Sequence, residues 1–223
     1  MDIRIKSCIE GAKESEGFTV IIDVFRASNT IIACLGQGAD CVIPVGSLEK
    51  AYHLKEQHPD FVLAGERKSM PPEGFDFGNT PAYASSQKLK GKKVIFTTSA
   101  GTQGIVNARN ADEILIGSFA NASAIVEYIH CKNPQIVTLA AMGFESSEKA
   151  EEDEQCAFYL KELIAGQNPD IRQIKEKIIA SKGAMRLRKL GRTDDLNFAL
   201  KFNAYPMLPI YNPSTGEVRS YVI

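Results

Sequence analysis

Short apolar runs alternate with segments of helical spacing along most of the chain. Phe18–Phe25 (FTVIIDVF) is rich in β-branched residues and predicts a buried strand. Ser28–Gly36 follows as a helix that buries Ile31, Ile32 and Leu35. Asp40–Val45 predicts a second strand, and Ser47–Glu56 a helix with Ser47 as its N-cap. Phe61–Ala64, Lys93–Thr97, Glu113–Ile116 and Gln135–Ala140 predict further strands, with a helix from about Ala122 to Ile129. Ala150–Ala165 reads as a long helix, acidic in its first half and apolar in its second. Asp170–Lys189 is mostly helical and charged, and Pro206–Tyr211 with Glu217–Val222 predicts a terminal hairpin.

This alternation places the chain in the α/β class, with a mostly parallel sheet covered by helices on both faces. The hairpin would make the sheet mixed. No linker, repeat or low-complexity stretch interrupts the pattern, so residues 1–223 are expected to form one domain. The segment Gly65–Ser85 stands out: it has little periodicity and many turn formers, yet it carries Phe75, Phe77 and Tyr83. Long irregular loops of this kind in compact domains are usually functional.

Charge narrows the partners. Twenty-six basic and 27 acidic residues give a net charge of −1, so no broad basic field invites nucleic acid or an anionic membrane. The five cysteines contain no CxxC pair, which argues against a disulfide framework or a structural zinc site. No apolar run approaches a membrane span, and the first residues lack a signal core; a cytoplasmic protein is the expectation.

In parallel α/β sheets ligands bind beyond the carboxyl ends of the strands, so the residues that follow each strand are the candidates. After the first strand come Asp23, Arg26 and Ser28. An aspartate in an apolar strand is costly unless paired or bound to metal. An internal Asp–Arg ion pair and one wall of a site are equal readings. Glu66 and Arg67 follow the third strand, where a solvated turn is the plainer alternative. Asp76 and Asn79 lie in GFDFGNTP, where they can fold the loop through side-chain-to-backbone bonds. Thr98, Ser99, Gly101 and Thr102 follow the fourth strand, where hydroxyls at a strand-to-helix junction suit phosphate or simply cap the helix. Most of the acids at the start of Ala150–Ala165 read as a solvated first turn; one or two could turn inward as oxygen ligands for Mg²⁺. The spacing puts Glu152 and Cys156 on one helical face. His53, His58 and His130 occupy helix surfaces or ends, which disfavours a histidine mechanism.

The segments DVFRASNT, GER, GFDFGNTP, TTSAGT and EDEQCA, with the late DDLNFALKFNAYPMLPIYNP, together resemble the 2-phosphosulfolactate phosphatase (ComB-like) family. The resemblance implies a three-layer α/β/α sandwich with a mixed, mostly parallel sheet. It implies Mg²⁺-dependent hydrolysis of a phosphate monoester on a small hydroxy acid that carries a carboxylate and a sulfonate, as in the coenzyme M route. It carries over Asp23, Arg26, Arg67 and Asp76 as catalytic, and Asn79, Thr98, Ser99, Gly101 and Thr102 as substrate-binding. Asp23, Glu66 and Asp153 become the metal ligands, directly or through water. A water is the preferred nucleophile over Asp23 itself, because the DxDx[TV] spacing of aspartyl-phosphate enzymes is missing. A phosphatase for another small phosphorylated hydroxy acid and a non-catalytic anion binder are the alternatives. A homodimer is the default expectation for its assembly.

Overall fold

The computed structural model describes residues 1–221. The chain opens with β1 (Asp2–Ser7), α1 (Cys8–Lys13), β2 (Gly17–Ile22) and α2 (Ala27–Gly36). It continues through β3 (Cys41–Pro44), α3 (Leu48–Gln57), β4 (Val62–Gly65), the short β5 (Phe77–Gly78) and α4 (Pro81–Ala84). Next come β6 (Lys93–Thr97), α5 (Gly101–Asn107), β7 (Ala111–Gly117), α6 (Ala122–Lys132), β8 (Ile136–Ala141) and α7 (Glu151–Ile164). Three helices, α8 (Ile171–Ala180), α9 (Lys182–Lys189) and α10 (Thr193–Ala199), precede the hairpin of β9 (Leu208–Asn212) and β10 (Glu217–Tyr221). Val222 of the expected hairpin lies outside the described residues.

The ten strands form one mixed sheet in the order β1-β8-β2-β7-β9-β10-β3-β6-β4-β5. Neighbours are parallel except where the hairpin is involved: β7–β9, β9–β10 and β10–β3 are antiparallel. The hairpin was expected at the end of the chain; in space it occupies the middle of the sheet and joins two parallel halves. Alternation along β2 decides what each face buries. Val20 and Ile22 pack with α6 and α7 through Ile125, Ile129, Cys156 and Leu160. Ile21 faces the other way, into a core with Ile31 of α2 and Ile105 of α5. Val42, Ala64 and Phe96, from the second half of the sheet, enter that same core. Both halves thus share α2 and α5, while α3 covers the outer face of the second half through Ala51, Leu63 and Ile95. Helices on both faces of the sheet make the three-layer α/β/α architecture.

Three sequence expectations shift. The first strand stops at Ile22, because beyond it the backbone leaves the ladder: the Val24 N–H donates to the Asp153 carboxylate and the Ser28 N–H to the Asp23 carbonyl. Asp170–Lys189 splits into two helices at Ser181, whose extended backbone ends α8 and whose hydroxyl accepts from Ala184 N–H to start α9. β1 and α10 were not anticipated. In β1 the charged Asp2, Arg4 and Lys6 alternate with apolar residues, which an edge strand tolerates because one side faces solvent.

Candidate active site

The loops after β2, β4, β6 and β8 meet with the first turn of α7 and with α9 around one cleft, of about 550 Å³ with its mouth included. At its floor is Asp23. One carboxylate oxygen accepts the Ala27 N–H at 3.1 Å and the other the Gly101 N–H at 2.8 Å, so this side chain clamps the starts of α2 and α5 together. Gly101 is required here: a Cβ would lie 2.5 Å from Ala27 Cβ and 2.8 Å from the Asp23 carboxylate.

Asp153 lies beside it, accepting from Val24 N–H at 2.7 Å and from Gly143 N–H at 2.8 Å. Glu66 uses both oxygens in the same way, for Ser99 N–H at 2.7 Å and Ser69 N–H at 2.9 Å. Glu152, next to Asp153 in α7, also lines the cleft and is buried against Ser181 and Gly183. Gathering acids away from water is expensive. Burial pushes the Asp23 carboxyl up to about 6, with Glu66 adding to the rise and the two backbone donors opposing it. Burial raises Asp153 well above the usual carboxylate range, helped by Asp23 and Glu152. Glu152 is raised too, chiefly by burial, against the opposing pull of Arg186.

Two arginines reach the cleft. Arg26, preceded by a cis peptide bond from Phe25, donates to Asp195 of α10 at 2.9 Å, and both side chains are buried. The other oxygen of Asp195 accepts the Ala82 N–H of α4, so one carboxylate fixes both Arg26 and α4. Arg186 of α9 lies with its guanidinium carbon 3.7 Å from the centre of the Phe144 ring. Asn79 lines the cleft as well, its carbonyl oxygen accepting from the Thr30 hydroxyl at 2.7 Å.

Other expected site residues sit elsewhere. Arg67 donates to the Glu66 carbonyl and the Thr97 hydroxyl, bracing β4 against β6 instead of entering the cleft. Asp76 accepts the Leu63 N–H and lies 3.6 Å from Lys55; its side chain is 50% exposed and outside the cleft. The Thr98 and Thr102 hydroxyls close on each other and on their own backbone, shaping the turn. The Ser99 and Gly101 N–H groups are already given to Glu66 and Asp23. What this loop leaves at the cleft, among the described residues, is the Ser99 hydroxyl and the Ala100 N–H.

Residues 4–214 match the family model described as 2-phosphosulpholactate phosphatase. The chain belongs to the 2-phosphosulpholactate phosphatase family. Among its relatives is a Symbiobacterium thermophilum protein, 30% identical over 94% of this chain and 97% of its own length. A Caldanaerobacter subterraneus relative is 33% identical over 85% of this chain and 86% of its own. A Thermotoga petrophila relative is 42% identical over 54% of this chain and 52% of its own. All three carry the name "Probable 2-phosphosulfolactate phosphatase".

For a member of this phosphatase family, the donor set of the cleft suits a hard divalent cation. Each oxygen of Asp23 and Asp153 takes one backbone N–H and so retains a further lone pair, and their crowding favours an added positive charge. Among the described residues no three Asp, Glu, His or Cys side chains form a ready-made cage. Mg²⁺ in general needs only one or two carboxylates and keeps several waters. Sequence reasoning on this family member passed over Glu152, Arg186 and Asp195 as site residues. Glu152 sits in a run of four acids whose burial runs from exposed Glu151 to buried Asp153, Asp195 follows the exposed Asp194, and nothing in AMRLRKL separates Arg186 from Arg188. Only the pairing of the helix faces does.

Proposed function

We infer that the chain hydrolyses the phosphate monoester of 2-phosphosulfolactate, releasing 3-sulfolactate and inorganic phosphate. The observation that carries this reading is the cleft itself. Asp23, Glu66 and Asp153 face it beside Arg26 and Arg186, an arrangement of acids for a metal and guanidiniums for a multiply charged anion. Mg²⁺ held by Asp23, Glu66 and Asp153, directly or through water, would neutralise charge on the phosphoryl oxygens.

The protein's own groups do the positioning. Arg26, held rigid by Asp195, presents the edge of its guanidinium left over from that pair to a phosphoryl oxygen. The Ser99 hydroxyl, the Ala100 N–H and the Asn79 amide are donors at the same cleft. Water attacks phosphorus, a new P–O bond forms as the bond to the hydroxy-acid oxygen breaks, and the water proton ends on that oxygen. Because both Asp23 oxygens are bound by backbone N–H groups, that side chain is a fixed anchor, which favours water over Asp23 as nucleophile.

Phosphate release from 2-phosphosulfolactate, phospholactate and phosphoglycolate, with Mg²⁺ and after chelation, tests this reading. Fast turnover of the first with Mg²⁺ alone is expected. Comparable turnover of phospholactate would remove the sulfonate from the reading. Turnover that survives complete chelation would remove the metal.

A further inference from the structure

Arg186 differs from every other arginine near the cleft. Arg26 is neutralised by Asp195, and Arg67 is spent on a carbonyl and a hydroxyl. Arg186 has no carboxylate within 4.0 Å among the described residues, and stacking on Phe144 fixes the plane of its guanidinium. Stacking occupies a face and leaves the N–H edge free, which is the geometry that forks a planar or tetrahedral oxyanion.

Its place in the fold matters as much as its charge. Arg186, Phe144 and Glu152 line the catalytic cleft and also a second, wider cavity between the 143–150 loop, α7, α8 and α9. Lys149, Lys177 and Lys182 are the other cations of that cavity. Lys182 lies 3.9 Å from Glu148 and Lys149 3.7 Å from Glu154, so both are partly compensated; Lys177 has no such partner among the described residues. The two spaces therefore share a wall at Phe144, Glu152 and Arg186, and among the described residues neither Arg186 nor Lys177 has a carboxylate within ion-pair distance, although Arg186 still attracts Glu152.

We propose that Arg186 is a specificity-determining residue that binds the distal acid of the substrate, the sulfonate at the far end of the carbon chain, at the edge of this second cavity. This assignment rests on the phosphatase reading above. It divides the labour: the acids near Asp23 and Arg26 handle the phosphoryl end, which every phosphate ester shares, and Arg186 handles the end that distinguishes one hydroxy acid from another.

The test compares wild type, Arg186→Met and Arg186→Lys on 2-phosphosulfolactate and on phospholactate, which has a methyl group in place of the sulfonated carbon. Arg188→Met, on the exposed side of α9, is the control for loss of charge from the helix. Arg186→Met is expected to lower kcat/KM for the sulfonate about 10- to 100-fold, the worth of a charge-assisted pair, mainly through KM. Phospholactate should change less than threefold, and Arg186→Lys should fall between because an ammonium cannot fork. Equal losses on both esters would overturn the proposal. If the wild type hydrolyses neither ester, the phosphatase reading fails, and calorimetric binding of sulfolactate against lactate decides Arg186 separately. A sulfolactate preference that survives in Arg186→Met would overturn the assignment in that case too.

Discussion

Replacing Asp195 by Asn removes the carboxylate that is hydrogen-bonded to Arg26. The side chains of the pair are 5% and 3% exposed, and their contact is 2.9 Å. The amide cannot satisfy both of the donors it inherits. With its nitrogen toward Arg26 it sets donor against donor; flipped, it sets its nitrogen against the Ala82 N–H. A guanidinium is left buried without its hydrogen-bonded counter-charge, which costs about 3–5 kcal/mol. The Coulomb attraction of unit charges about 4 Å apart at an effective dielectric constant of about 20 is about 4 kcal/mol, the same size. For a chain of this length each kcal/mol lowers Tm by about 2–4 °C, so the melt should fall by roughly 6–20 °C. Inorganic phosphate should recover more of that loss in the variant than it adds to the wild type, because it offers Arg26 a new counter-ion. The paired change Arg26→Met with Asp195→Leu should restore most of the stability and none of the activity. Thermal unfolding with and without phosphate is the assay. A variant that melts within 1 °C of wild type, or a paired variant that still turns over, refutes the role given to this ion pair.

Four further outcomes follow from the same geometry. Gly101→Ala forces a Cβ into Ala27 and the Asp23 carboxylate, so it should cost about 1–3 kcal/mol in denaturant melts and most of the turnover; an active, stable variant would show that the Asp23 clamp is dispensable. Asp76→Ala should keep kcat/KM within about twofold, and Thr102→Val should lower stability by about 1–2 kcal/mol while sparing KM, because neither side chain faces the cleft. Glu217, hydrogen-bonded by Lys93 and Arg219 and only 13% exposed, has its carboxyl lowered to about 2. A lowered folded-state value means stabilisation that is full above about 4.5 and lost as pH falls toward about 2, so Glu217→Gln should flatten the acid limb of stability in that window; an unchanged limb measured by chemical denaturation contradicts it.

Strand and helix positions were largely legible because burial writes itself into the period of the chain. Lys93–Thr97 was placed to the residue, and the helix capped by Ser47 forms as expected, its hydroxyl accepting from Lys50 N–H. Site chemistry was legible only where a charged group interrupts an apolar run. Asp23 is such a case: it lines the cleft, but the internal ion pair with Arg26 does not form, because its two oxygens take the Ala27 and Gly101 N–H groups. Arg26 does form an ion pair, but with Asp195, 169 residues away, which local spacing cannot report. Arg67 and Asp76 looked equivalent to Arg26 and Glu66 because sequence shows proximity to a strand end and not the direction of a side chain. Thr98 and Thr102 had the composition of a phosphate loop, yet at i, i+4 spacing their hydroxyls reach each other and the loop backbone first.

The hairpin at the centre of the sheet has a consequence for how the protein comes into being. Until β9 and β10 are made, β7 and β3 are open edges of two separate parallel sheets, each with unpaired N–H and C=O groups that can recruit strands from other molecules. β7 closes with a strand about a hundred residues later, and β3 with one farther still, so the final zipping carries a large loop-closure cost and is intrinsically slow. The last segment of the chain therefore acts as a keystone for newly synthesised molecules. A premature stop before Leu208 would release a product with two adhesive edges, whose fate is aggregation and not merely lost activity.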